Sequence, residues 1–428
     1  MNNQQDFILD SSSHFKLKCL EWLRGFDVFC LLDSHSDVHT PQPNNYPQYD
    51  LLIGAGMAAQ IASPDHSIAD IDRELESKPD WLFGFFSYEL KNSIEKLASS
   101  HADYLGWPEF YFFKPQHLIL IHGDQVSIRS SIAPAKELFS AILNTEMQVD
   151  SETMSIEMTP KMSRNEYIEA VMRLKNHIHR GDIFEVNYCQ EFYAHQSIDP
   201  FYAYRQLNVI SPSPFSCFFR LHEKYLLSAS PERFLKKTGD EIISQPIKGT
   251  APRSSDEKTD ANLKENLKNN PKERSENIMI TDLVRNDLSK IAIPFSVKVR
   301  ELCGIYSFSH VHQMISTVAA QSKTDSIDAI VRATFPMGSM TGAPKIRAMQ
   351  LAEEFEISRR GLYSGAVGYI TPEKDFDLSV VIRSLQYNQN QRYLSYMVGG
   401  AITALSEAER EYDECLLKAA ALEKVLKS

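Results

Sequence analysis

The 428-residue sequence contains no apolar run near the ~20 residues that a membrane-spanning helix needs, and no segment recurs at a fixed period. Membrane and solenoid classes are thereby set aside. Positive charge is in deficit, with 45 Lys and Arg against 56 Asp and Glu and a net charge of −11. That balance argues against nucleic acid or an anionic membrane as partner, so an anionic ligand has to be met by locally placed basic groups. The six cysteines, Cys19, Cys30, Cys189, Cys217, Cys303 and Cys415, show no CxxC spacing, and the N-terminus lacks a basic stretch followed by an apolar one. A reduced, soluble, cytoplasmic protein is the expectation. The GxxxxGK[ST] spacing is absent as well, so "TGAPK" does not read as a phosphate loop.

What is present is enough apolar material, 43% of residues, for a sizeable core. Residues 1–150 mix strand-like runs (from Val28, Leu51 and His117) with loops such as "HTPQPNNYPQYD". A polar stretch at 150–162 precedes a helix opened by Ser163, with Ile168, Val171, Met172 and Ile178 at helical spacing and Gly181 ending it. Residues 160–428 carry most of the motif-like segments. Strands and helices do not alternate regularly there, so α+β with antiparallel sheets is expected rather than a doubly wound fold.

Two later helices are rich in carboxylates. In "NPKERSENIMITDLVRNDL", Asn270 can cap and Pro271 can take the first helical position, which sets Glu273, Glu276, Ile280, Leu283 and Asp287 along one face. The second is predicted to start at Ser406 with Glu409 as capping-box partner, placing Glu411, Glu414 and Lys418 together. Spacing alone leaves two readings open: a solvated charged face, or a Mg²⁺ site built from two pairs of carboxylates. The turns "MVGGAIT" and "MTGAPK" can present backbone N–H groups to an anion, or be tight turns only.

Taken in order, "GDIFEVNYCQEF", "SASPERF", "ISQPIKGTAPR", "KERSENIMITDLVRND", "GSMTGAPK", "YSGAVGY", "VVIRSL", "YMVGGAIT" and "SEAEREYDE" resemble the chorismate-utilising enzymes, a family spanning anthranilate, aminodeoxychorismate, isochorismate and salicylate synthases. "WLFGFFSYELK" at 81–91 is similar to a segment of the family's N-terminal part. The resemblance implies one large α+β unit with two orthogonal antiparallel sheets packed together and helices outside. It implies chorismate as substrate and Mg²⁺ held by Glu276 and Glu414, with Glu273 and Glu411 supporting through water. The substrate contacts it implies fall on Gln190, Gly249, Thr250, Gln313, Thr341, Tyr363, Arg383, Gly399, Ala401 and Lys418. Arginine suits a carboxylate because its planar fork meets both oxygens.

Within the family, members that add water at C2 have a lysine base at the position matched to Gln190, and glutamine cannot take a proton. Anthranilate synthases resemble the Lys248 stretch but carry alanine, in "PIAGT"; aminodeoxychorismate synthases carry "PIKGT", as here. By that resemblance Lys248 attacks chorismate C2 and Glu232 protonates the leaving C4 hydroxyl. Ammonia then adds at C4 in a transaminase-class amination that yields 4-amino-4-deoxychorismate, a precursor of p-aminobenzoate and folate. Burial is expected to lower the Lys248 pKa and free a neutral amine. The bland alternatives are a lysine that snorkels to solvent and a Glu232 paired with Arg233 or Lys236.

Some positions depart from the family. Gln313, with His312 before it, stands where members have a substrate-contacting histidine. Met337-Gly338 replaces a double glycine, and Ala401 replaces a glycine. No cysteine lies in a GxCxG elbow, so ammonia is expected from a glutamine amidotransferase subunit; no further domain follows residue 428, so a separate lyase would finish p-aminobenzoate. "LLDSHS" at 31–36 is similar to, but altered from, the segment beside the tryptophan pocket of related enzymes. The rival readings are anthranilate synthase component I and a non-catalytic sensor or scaffold on the same fold.

Overall fold

The computed structural model describes residues 3–9, 11–36, 49–147, 154–308 and 311–428; most of the loop at 39–50 lies outside them. Every strand pairing is antiparallel, and pairings join all the strands into one network. Three buried clusters show how that network is layered. One lies between sheet faces and gathers Cys30, Leu52, Phe83, Phe85, Phe113, Phe219 and Val367. The alternate residues of the same strands point outward to two helix-covered clusters, because side chains on a strand switch face at every residue. Phe29, Leu31, Phe218 and Leu227 meet helices on one side, whereas Phe86, Phe112, Ile370 and Leu378 meet helices on the other. The result is helix, sheet, sheet, helix.

The strand Phe110–His122 belongs to both sheet layers: its Phe112 sits in one outer cluster and its Ile119 and Ile121 in the other. Pairing also ignores the polar stretch at 150–162. Val28–Asp33 pairs with Phe215–Leu221, and Leu82–Phe86 pairs with Ala366–Ile370. The two sequence regions therefore share one sheet network.

Helix starts follow local chemistry at two of the three anticipated sites. Ser163 caps Arg164–His179 and forms a reciprocal box with Glu166, although the buried stripe is Tyr167, Val171 and Leu174, and Met172 is exposed. Asn270 accepts from the backbone N–H of Lys272 and Glu273, with Pro271 in the first turn. The box at Ser406 does not form. Its hydroxyl is engaged with Thr403 N and Ala401 O, the helix is Ala408–Val425, and Glu409 pairs with Arg164.

One buried cation ties four segments together. Arg360 pairs with Glu356, donates to Met340 O and Asn187 O at 2.8 and 2.9 Å, and bonds Ser364 Oγ at 3.2 Å. Its guanidinium also lies 4.4 Å from the ring centroid of Tyr88, in "WLFGFFSYELK". Removing one partner of a buried charge pair strands the other, so Arg360→Met is expected to lower unfolding free energy by roughly 3–5 kcal/mol. Urea unfolding followed by circular dichroism measures this.

Candidate active site

Lys248 lies on Ile247–Pro252, which pairs with Val311–Gln321 through a register shift between Ile247 and Thr250. Gly249 makes the shift possible. Its φ is +88°, and a Cβ there would stand 2.9 Å from Glu273 Oε2. The irregular strand turns Lys248 inward: it is 9% exposed, and its Nζ donates to Glu185 Oε1 at 2.9 Å. It does not snorkel. Glu185 opens the strand Glu185–His195 and is fully buried.

The expected fall in the Lys248 pKa is overturned. Burial pushes the ammonium toward neutrality, but Glu185, Glu276 and Glu232 face it and together hold its pKa above the ordinary lysine value. Glu185 was not singled out from the sequence, because nothing local marks it. Gln190 is also corrected. Along Glu185–His195 it alternates with the residues facing Lys248 and shares its face with Val186, Tyr188, Phe192 and Ala194, which belong to a helix-covered core. Both its side-chain polar atoms are buried without partners among the described residues, and Glu185 holds the place opposite the lysine.

The two carboxylate helices converge on this lysine. Glu276 is 6% exposed with Oε1 accepting no hydrogen bond among the described residues, and burial pushes its carboxyl up to about 8 against the opposing pull of Lys248 and Lys272. Burial raises Glu273 too. Glu411 accepts from Lys272 at 2.9 Å, and the same ammonium stands 3.8 Å from Glu276. Burial raises Glu414, yet Lys418 at 2.8 Å, with Lys272 and Lys248, holds it below the usual carboxylate range. Lys418 also donates to Gly399 O at 2.9 Å. The face is thus partly buried and not built of carboxylates alone: Lys272, unforeseen in the sequence, bridges the two helices. Among the described residues no three His, Cys, Asp or Glu side chains converge as a ready-made metal cage. Mg²⁺ takes one or two carboxylates and keeps several waters, and Glu276, whose Oε1 accepts no hydrogen bond among the described residues and stands 3.8 Å from Lys272, fits that requirement with Glu414.

Glu232 is fully buried, and burial pushes its carboxyl up to about 7, with Lys248 pulling the other way. Neither Arg233 nor Lys236 pairs with it; Arg233 is committed to both oxygens of Asp377 and to Gln245. Arg383 has φ +51° and is partly buried, and its guanidinium has no ion-pair or hydrogen-bond partner among the described residues. Tyr363 and Glu414 lie within its electrostatic reach. Gln313 is buried with Oε1 unpartnered, and it faces exposed Thr250 in register. His312 is instead bonded to Ser307 and Asp260. The Thr341 hydroxyl donates to Met337 O and Gly338 O, which fastens its loop rather than pointing a free donor outward. Ala401 pairs with Asn187 in the ladder, next to Gly399 opposite Cys189. Lys345 of "TGAPK" is spent on Asp287, Thr334 O and Pro336 O. Leu32, Asp33 and Ser34 line a small cavity with Pro214, Phe215 and Tyr369.

A carboxyl whose pKa is higher in the folded chain favours folding while protonated, and that advantage fades as pH rises from its unfolded value toward the folded one. For Glu276 the window runs from about 4.5 to about 8. Without added metal, Glu276→Gln should therefore be more stable than the native chain at pH 8, with the gap closing by pH 4; thermal melts across pH measure it.

The family described as chorismate binding enzyme matches residues 41–424. Aminodeoxychorismate synthase component 1 of Klebsiella aerogenes is 39% identical over 335 residues, covering 77% of this chain and 74% of that protein. Anthranilate synthase component 1 of Thermus thermophilus is 34% identical over 373 residues, covering 82% and 80%. Among solved structures, anthranilate synthase component I of Streptococcus pneumoniae superposes with a TM-score of 0.76 at 23% identity, covering 91% of this chain and 94% of that one. The menaquinone-specific isochorismate synthase of Escherichia coli gives 0.79 at 16% identity, covering 99% and 94%. These likenesses agree with the layered antiparallel fold, and the chain belongs to the chorismate binding enzyme family.

Proposed function

We propose that the chain performs the aminodeoxychorismate synthase component 1 reaction, combining chorismate with ammonia to give 4-amino-4-deoxychorismate for p-aminobenzoate and folate synthesis. The observation that carries this is Lys248, buried beside Glu232 and the two carboxylate helices in a chain 39% identical to a relative of that name. The Lys248 amine forms a bond to chorismate C2 as the C4–O bond breaks, the ring double bonds shifting between them. Glu232, with a carboxyl near neutrality, gives its proton to the departing hydroxyl, which leaves as water. Ammonia then bonds to C4, the N–C2 bond breaks, and the proton shed by the new C4 ammonium restores Glu232.

Arg383, whose guanidinium is unpaired among the described residues and lies within electrostatic reach of Glu414, takes a substrate carboxylate as a bidentate donor, with Tyr363 and Lys418 on the same side. Mg²⁺, held by Glu276 and Glu414 with Glu273 and Glu411 behind, would supply a Lewis acid for the ring carboxylate. Ammonia comes from a separate glutamine amidotransferase subunit, since no GxCxG elbow is present in the sequence. No helix among the described residues is long and apolar enough to cross a membrane, in keeping with work in the cytoplasm.

The product assay tests this reading: chorismate, Mg²⁺ and ammonium salt with the purified chain, then an added lyase, with p-aminobenzoate read against anthranilate. The native chain should give p-aminobenzoate, and Lys248→Ala should lose it. An ortho product would instead favour the anthranilate synthase reading, and no product the sensor or scaffold. Glu232→Gln should lower kcat by about 10²- to 10⁴-fold, and native kcat should fall as pH rises through about 7, where Glu232 loses the proton it must give. Removing Mg²⁺ with a chelator should stop turnover, and titration calorimetry should find weaker Mg²⁺ binding in Glu276→Gln.

A further inference from the structure

Attack by Lys248 requires a neutral amine, yet its surroundings keep it an ammonium. Five carboxylates face or approach it: Glu185 from Glu185–His195, Glu232 from the turn before Arg233–Thr238, Glu273 and Glu276 from Pro271–Ser289, and Glu414 from Ala408–Val425. Glu185 alone among them is hydrogen-bonded to Nζ, at 2.9 Å, and its second oxygen, Oε2, is buried with no partner among the described residues. Glu232 has to donate a proton in the same step. Glu276 shares Lys272 with Glu411, and Glu414 is paired with Lys418.

The backbone fixes Glu185 in this place. Phe184 N donates to Ala343 O at 2.7 Å, and Gly342 pairs beside it so closely that a Cβ would lie 2.1 Å from Glu185 O. The unsatisfied oxygen leaves Glu185 room to receive a proton from Lys248 in a buried site without giving up any other bond.

We propose that Glu185 is the proton acceptor that turns Lys248 into a nucleophile. This rests on the reading of Lys248 as the attacking amine. On attack, one Nζ–H proton passes to Glu185, the freed lone pair forms the N–C2 bond, and the C4 hydroxyl departs with the Glu232 proton. When ammonia displaces the lysine, Lys248 leaves as the neutral amine and recovers its proton from Glu185. Each cycle begins with the proton on Lys248 beside Glu185 and with Glu232 carrying the proton it gives away.

The test compares the native chain with Glu185→Gln, Glu185→Asp and Lys248→Ala in the ammonium assay across pH. Native kcat should show only the falling limb near pH 7. Glu185→Gln should lower kcat at pH 7 by about 10²- to 10⁴-fold with KM for chorismate within about twofold. Its remaining activity should rise with pH on the acid side, because the lysine must then lose its proton to solvent. Glu185→Asp should recover part of the loss. A Glu185→Gln kcat within twofold of native at pH 7, or a loss that is the same at every pH, would overturn the proposal. If Glu185→Gln does not fold by circular dichroism, Glu185→Asp carries the test: a lowered kcat with the new rising limb supports the proposal, and a native profile overturns it. Para product from Lys248→Ala would sink the nucleophile reading itself, whereas loss there with Glu185→Gln unaffected sinks only the role of Glu185.

Discussion

The bonds of Arg360 are the constraint on which the site's geometry rests. A guanidinium has five donors in a rigid plane, and burying it demands acceptors on all sides. Here they come from the strand carrying Glu185, the turn before Thr341, the neighbouring helix end and the loop of Ser364. Glu356 meets the charge and also accepts from Cys189 N at 3.0 Å, so the same ion pair holds that strand twice. The loops around the site keep their places because each would otherwise leave part of a buried charge unsatisfied.

Around this node the site itself is a cluster of opposed charges. Lys248, Lys272 and Lys418 are set among Glu185, Glu232, Glu273, Glu276, Glu411 and Glu414, with acids in excess. In water such pairs would contribute little; in a buried site they decide which groups carry protons. The same burial that pushes Glu232 and Glu276 up fails to neutralise Lys248, because three acids surround it. The carboxylates outnumber the ammonium groups, and among the described residues the Arg383 guanidinium has no hydrogen-bond or ion-pair partner.

Local features were readable in the sequence. The caps at Ser163 and Asn270 depend on residues two or three positions away, and the pairing of Glu414 with Lys418 on one turn. Ser406 had the right spacing for a capping box, but the preceding strand end claimed its hydroxyl first. The resemblance brought out Lys248, Glu232 and the four carboxylates, since those lie in recognisable segments. Glu185, Lys272 and Arg360 stayed hidden, because each gains meaning from a partner 63, 139 or 173 residues distant. Gln190 was misplaced for a related reason: a strand residue's face is set by its partner ladder, and a one-residue difference reverses it.

The strand Phe110–His122 lends its residues to both sheet layers, and the pairing of Leu82–Phe86 with Ala366–Ile370 crosses the same span of chain. The molecule therefore has no seam. Every group assigned to the chemistry lies beyond residue 180, yet those residues cannot be excised as a working module, because doing so would bare two long strand edges and the apolar cluster between the layers. What reads along the sequence as an accessory first third is, in the fold, woven into the same sheet network that carries Lys248.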